Sequence, residues 1–318
     1  MSLINAGNLG QNQLLKHLIQ DGPYNVQFLE VWPWFGVEGK QLDISTTPRF
    51  ATPTAQLITP CNRIDENTRS PNDGNKTFPI SSIQTRYDIC FTDADTIEYP
   101  NDLYAEQDAL AIQSMLYEYA RLLDVGAPGF PSLQSLTDQI VDLAGVAPQL
   151  EDFNRTLLRV TTNQGFDVIA MGNLDALNTY WSQAYERGVD PNMWQQNVPA
   201  NMGGQAVRPQ PFVQHARWYV NELIPNRTLP EGEVVTNVYF IQLGNNPGFG
   251  TAHGTFGIIP KPRVGNMFVR RQQQGQLVDP AGSTFNTTDS VFWSFPSGVA
   301  VASNRSLAVL KDMLITPI

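Results

Sequence analysis

The chain has 318 residues, 42% hydrophobic and 10% aromatic, enough for a packed interior in one large unit or two smaller ones. Its net charge of −10 argues against a protein held to nucleic acid by a basic face, and no run of 18 apolar residues is present to span a bilayer. Charged side chains make up only 16%, and 48 asparagines and glutamines stand beside the 50 charges, so much of the surface is expected to be covered by partners. The opening MSLINAGNLGQNQLLKHLIQ lacks the basic start and apolar stretch of a secretory signal. With no export signal, Cys61 and Cys90 read as reduced thiols of a chain folded in the cytoplasm.

Leu14, Leu15, Leu18 and Ile19 share one stripe of a short helix over 11–20, stopped by Gly22-Pro23. Three turns are marginal alone, so this helix must lie on another surface. Residues 28–39 are aromatic and extended, with Trp32, Trp34 and Phe35 interrupted by Pro33. From 37 to 84 the character changes. Short strand-like runs at 41–46 and 54–59 sit among prolines, and 62–76 is almost wholly polar, with Asn72-Asp73-Gly74 as a turn signal. Such a stretch cannot build its own core. As a two-stranded arm of ~20 residues a side it would reach roughly 65 Å, and an isolated hairpin of that kind needs a neighbouring molecule to lie on.

Residues 83–97 alternate as a strand. Asn101 or Asp102 then caps a helix over 102–124, whose seam is Ala109, Ile112, Leu116, Tyr119 and Leu123. At about 35 Å it is the longest element expected. Helical patterns follow at 133–143 and 150–161. A buried-type strand at 166–170 runs into Gly172-Asn173 and a helix over 174–186, closed by Arg187-Gly188. After the Gly/Pro/Asn-rich stretch 191–211, strands are expected at 217–220, 234–243, 254–259, 266–270, 291–295, 298–302 and 307–310. Gln272-Gln273-Gln274 reads as a solvated loop. Strands and helices mix without βαβ regularity, so the class is α+β.

The search for chemistry is unproductive. His17, His215 and His253 stand in no metal-ligand spacing. The stretch Gly248-Phe-Gly250-Thr-Ala-His253-Gly254 is one residue too long for a dinucleotide fingerprint and lies outside any βαβ unit. Phosphate-loop and nucleophile-elbow motifs are missing. Asp93, Asp95, Glu98, Glu30 and Glu38 read as solubilising acids rather than a glycosidase pair. Trp32 and Trp34 are expected to pack rather than to form a stacking platform, and Arg270-Arg271 to make salt bridges rather than to hold phosphate. No catalytic, cofactor-binding or metal-ligating residue is assigned.

A short arm, a long polar two-stranded excursion, a strand, one long helix and then a mixed domain resemble, in that order, the major capsid protein of tailed phages, the Hong Kong 97-type fold. Local wording is similar too. Thr85–Cys90 leads through Ile97 and Asn101-Asp102-Leu103 into the helix; Phe130-Pro131-Ser132-Leu133 resembles the family's Phe-x-Gly-Leu, with Ser132 in place of the glycine; Phe166 to Asn173 before a helix resembles a strand of the axial domain; Val291 to Leu310 resembles the closing strands. The resemblance spans essentially the whole chain. It implies an N-arm at 1–36, an extended loop at 37–84, a peripheral domain at 85–165 with its spine helix at 102–124, an axial domain at 166–262 and returning strands at 263–318.

What the resemblance further implies is self-assembly as pentamers and hexamers into an icosahedral virion shell, built in the bacterial host cytoplasm around double-stranded DNA. That DNA is enclosed without sequence-specific binding, and no membrane or cofactor is involved. Partners would be further copies of the chain, a separate scaffolding protein, a portal and cement or decoration proteins. The family's lysine–asparagine crosslink does not carry over to Lys40 or Lys76, since no matching motif surrounds them. Two other readings stay open: an encapsulin-like compartment with the same fold, and a hydrolase or carbohydrate-binding protein using Trp32, Trp34 and His253.

Overall fold

The computed structural model describes residues 24, 26–46, 74–90, 100–160, 168–188, 212–213, 216–244, 254–263, 267–278, 284–303 and 305–315. A 3-10 turn at Gln27–Glu30 precedes β1 (Trp34–Val37), β2 (Gln41–Thr46), β3 (Gly74–Pro79) and β4 (Ser81–Cys90). The long helix α1 (Pro100–Val125) follows, then a 3-10 turn at Leu133–Leu136, β5 (Ile140–Asp142), α2 (Leu150–Leu157), β6 (Val168–Gly172) and α3 (Leu174–Glu186). The remainder is strand: β7 (Phe212–Val213), β8 (Ala216–Val220), β9 (Arg227–Thr228), β10 (Val234–Gln242), β11 (Thr255–Pro260), β12 (Val269–Val278), β13 (Thr284–Val301) and β14 (Leu307–Leu314). The class is α+β, as expected.

Helix α1 runs 26 residues, about 39 Å at 1.5 Å per residue. It begins at Pro100, whose fixed φ suits a first helical position; the side chains of Asn101 and Asp102 lie outside the described ones. Ile112, Leu116, Tyr119 and Leu123 are all buried, as their 3–4 spacing requires, and Met115 and Ala120 widen the stripe. Ala109 is half-buried.

Two sheets flank this helix. In the first, the 18-residue β13 pairs antiparallel with β12, with β4 and, over its last residues, with β11, while β1 joins β11 in parallel. In the second the order is β5-β14-β10-β6-β8-β7, with β9 on β10. One continuous core joins the α1 seam to Phe295 and Val299 of the first sheet and to Ile169, Met171, Tyr239 and Ile241 on one face of the second. The other face of the second sheet packs Val238, Phe240 and Trp218 against Phe153 and Leu157 of α2 and Tyr180 of α3. Asn173 caps α3 by accepting from the Ala176 amide at 2.9 Å.

Three expectations are corrected. Residues 133–143 are not a helix. Ser132 caps a single 3-10 turn, Thr137 is extended and its Oγ1 donates to the Leu307 carbonyl at 2.7 Å, and 140–142 pair in parallel with β14. The Leu133, Leu136, Ile140 spacing suits a turn followed by a strand as well as it suits a helix. Residues 272–274 are not a loop: they lie within β12, opposite Val291, Ser290 and Asp289, and their ladder satisfies the backbone while Gln272 and Gln273 face solvent. The runs 291–295 and 298–302 are not separate: one strand carries both as far as Val301, and β12 has ended opposite Ser294 before Pro296 is reached, so the proline interrupts no β12–β13 pairing. The expected helix at 11–20 and strand at 54–59 lie outside the described residues.

Candidate assembly surfaces

The base of the polar excursion is built from aromatic rings. Trp32 is 3% exposed and its Nε1 donates to the Tyr119 hydroxyl at 3.0 Å, which donates onward to the Gly298 carbonyl at 3.2 Å. Trp34 packs on Tyr119 and Phe295 at 5.0 and 5.5 Å between ring centres, and Phe35 on Phe256 at 6.0 Å. A Cβ on Gly257, paired with Trp34 across β1–β11, would stand 2.5 Å from the Trp34 ring, so glycine is what lets the indole lie there. Burial pushes the Tyr119 hydroxyl far above the ordinary tyrosine range. These rings are packing, as expected, and offer no open platform to a sugar or base.

From this base the chain turns outward at Gly39, whose φ of +104° is open to glycine and costly for other residues. β2 and β3 then pair antiparallel from Gln41 opposite Pro79 to Thr46 opposite Gly74, and Ile80 N donates to Lys40 O at 2.9 Å. Phe78 is buried at the root, with Leu42 and Ile44 half-buried beside it. A two-stranded excursion needs this root. Glu38 and Lys261 form an exposed ion pair there, and the Lys261 ammonium holds the Glu38 carboxyl below its usual range. Lys40 is exposed and Lys76 stands opposite Ile44 in the ladder.

Two buried aspartates fix α1 to the sheets, and sequence reasoning missed both. Asp108 Oδ1 accepts from Trp293 Nε1 at 2.6 Å and from the Tyr87 hydroxyl, while Oδ2 accepts from Arg270 Nε at 3.1 Å. Arg270 continues to Gln272, Gln272 to Asp289, and Tyr104 donates to the same Asp289 oxygen at 2.7 Å. Burial first, and then Asp289, push Tyr104 up to about 12. The expected salt-bridge role of Arg270 holds; Arg271 points to the exposed side. At the other end Asp124 Oδ1 accepts from Asn237 Nδ2 at 2.9 Å and from the Tyr239 hydroxyl, with Arg227 Nη2 at 3.6 Å from Oδ2. The signal was present: Asp108 lies four residues before Ile112, on the apolar seam itself.

His17, His215, His253, Cys61, Asp93, Asp95 and Glu98 lie outside the described residues. Glu30 is exposed, and Cys90 ends β4 opposite Thr288. Among the described residues, no group of three or more His, Cys, Asp or Glu could hold a metal ion, and no helix is long and apolar enough to cross a membrane. Open grooves mark their surface. One, of about 670 Å³, crosses β4, β12 and β13 over Gln84, Arg271, Gln273 and Phe292. Another, of about 480 Å³, lies beside α1 between Ile83, Leu110, Tyr117 and Leu223.

No protein-family model matches the sequence, nor does any curated protein. Solved structures do match in fold. The SrpI encapsulin of Synechococcus elongatus PCC 7942, in its holo complex, superposes with a TM-score of 0.63 at 16% identity, covering 92% of this chain and 88% of that one. The capsid of cyanophage A-1(L) gives 0.58 at 12% identity over 92% and 94%. The capsid of a native GTA particle gives 0.52 at 11% over 90% and 89%. The fold is therefore of the Hong Kong 97 type, with one long helix, two flanking sheets and a two-stranded root beside them.

Proposed function

We propose that this chain is the major capsid protein of a tailed bacteriophage, assembling as pentamers and hexamers into an icosahedral head that encloses double-stranded DNA. The observation that carries this reading is the two-stranded root at 41–46 and 74–79, packed into the same core as the spine helix, with 27 residues between its strands whose sequence is too polar to build a core. A limb of that kind gains stability by lying on adjacent copies. The cyanophage capsid likeness, over nearly the full length of both chains, supports it. The role is structural rather than catalytic, with no cofactor or metal. Partners are other copies of the chain, with a scaffold, a portal and decoration proteins as further candidates, and assembly in the host cytoplasm.

The domain division belongs to the same proposal: N-arm 1–36, extended loop 37–84, peripheral domain 85–165, axial domain 166–262 and returning strands 263–318. Two short strands cross it, since β5 joins the second sheet and β11 the first. A second reading, an encapsulin-like compartment, is favoured by the SrpI likeness. Negative-stain microscopy of the chain, produced alone and together with the proteins encoded beside it, tests both. Closed shells of uniform diameter are expected. DNA-filled heads bearing a portal support the capsid, protein-filled shells support the compartment, and a monomer under both conditions overturns both.

A further inference from the structure

The two aspartates of α1 are held unequally. Sixteen residues separate them, about 24 Å along the helix. Asp108 meets the first sheet through an indole, a phenol and a guanidinium, and both of its oxygens accept hydrogen bonds. Asp124 meets the second sheet with one oxygen only. Its Oδ2 is buried, has no hydrogen-bond donor within reach among the described residues, and faces Arg227 Nη2 at 3.6 Å. It also sits in the last turn of α1, where the aligned carbonyl dipoles disfavour a negative charge and no basic residue offsets it. The Asp124 side chain is 1% exposed and that of Arg227 40%, so its counter-charge stands half in water.

The strand beneath this end is irregular too. Thr236 pairs with Met313 and Val238 with Leu310, so Asn237 alone opposes Lys311 and Asp312. Asn237 Oδ1 accepts from the Asp312 amide at 3.2 Å, and Asp312 has a φ of +49°, rare for a residue with a side chain. A bulge, a left-handed residue and an under-bonded carboxylate thus meet at one point.

We infer that the Asp124–Arg227 contact is the compliant joint of the subunit, where the second sheet changes its angle to α1 while the first sheet stays fixed through Asp108. Resting on the shell reading, this joint tunes how sharply a subunit curves and so the diameter of the particle.

Hydrogen exchange on the full chain tests it. Arg227→Met strands the buried carboxylate, and exchange should rise roughly tenfold at 235–239 and 309–313 while 83–89 and 289–295 stay as they were. Adding Asp124→Asn, which removes the charge and keeps an acceptor for Asn237 and Tyr239, should return exchange to the original rate. Arg227→Lys, the milder variant should the methionine fail to fold, should show the same pattern at smaller size. Unchanged exchange, an equal rise in both sheets, or no rescue in the double variant would overturn the joint. Shells from Arg227→Met should spread more widely in diameter, and an unaltered spread would sever the joint from curvature. If the unaltered chain forms no shells but the exchange pattern holds, the shell reading fails and the joint stands.

Discussion

Asn173, Asn221 and Asn237 are buried, and each amide ties together elements that share no ladder. Asn173 Nδ2 donates to Thr236 Oγ1 at 3.0 Å, Asn221 Nδ2 to the Ala120 carbonyl of α1 at 3.2 Å, and Asn237 Nδ2 to Asp124. A neutral amide carries donors and an acceptor into the interior without the desolvation cost of a charge. Composition assigned the amides to covered surface, and a count cannot separate an inward amide from an outward one. Charged pairs do different work at the edge of the second sheet, where Lys311 Nζ lies 2.8 Å from Asp142 and 3.0 Å from Asp312. The hydrogen bond from Lys311 holds the Asp142 carboxyl below its ordinary range. A carboxyl lowered on folding contributes in full above its unfolded value and loses that contribution as pH falls through the folded one. Solvent screening keeps this pair to less than about 1 kcal/mol. Protection of the 140–142 amides, corrected for intrinsic rate, should therefore fall on acidification below roughly pH 4. Lys311→Met should flatten that dependence; a variant as pH-sensitive as the parent would show that another group sets it.

Helix α1 is the element on which both sheets depend, and Leu116 stands in the middle of its seam at 2% exposure. Leu116→Asp places an unpaired charge between them at a cost of several kcal/mol, and the variant should fail to give a folded spectrum by circular dichroism. A native spectrum would mean the seam tolerates solvent. Local periodicity made this helix legible, as it did α3, whose expected and observed bounds coincide at 174–186. The same logic failed at 133–143, where Thr137 and the β14 edge decide the conformation from 170 residues away. It missed Asp108 and Asp124 because a seam was sought among apolar residues, whereas an acid on that seam was the clue to a buried network. β12 was read too short, since a run of glutamines gives no apolar alternation by which a strand could be recognised.

At the scale of the molecule, the order of elements was readable and their pairing was not. Parallel neighbours such as β1 with β11 and β5 with β14 are chosen by a core that no local window contains. The two-stranded root at 41–46 and 74–79 was legible because so polar a stretch has nowhere inside to go; residues 47–73 lie outside the described ones, and their role can be isolated. Thr46 faces Gly74 across the root, so an Asn-Gly turn replacing residues 47–73 closes β2 onto β3 in register. That chain should show the parent's circular dichroism spectrum and melting behaviour yet form no closed particle by size-exclusion chromatography. Normal shells would remove the limb from the assembly mechanism. The position of β14 carries a separate consequence. It lies between the three-residue edge strand β5 and β10, so the place beside β10 is filled by residues 307–314, far downstream of both neighbours. During translation β10 lacks its neighbour on that side until this stretch leaves the ribosome, and a product truncated before Leu307 lacks both that strand and the ladder that holds β5. Late arrival of this strand thus withholds a finished building block until synthesis has passed that point, and keeps broken chains out of whatever the finished ones build.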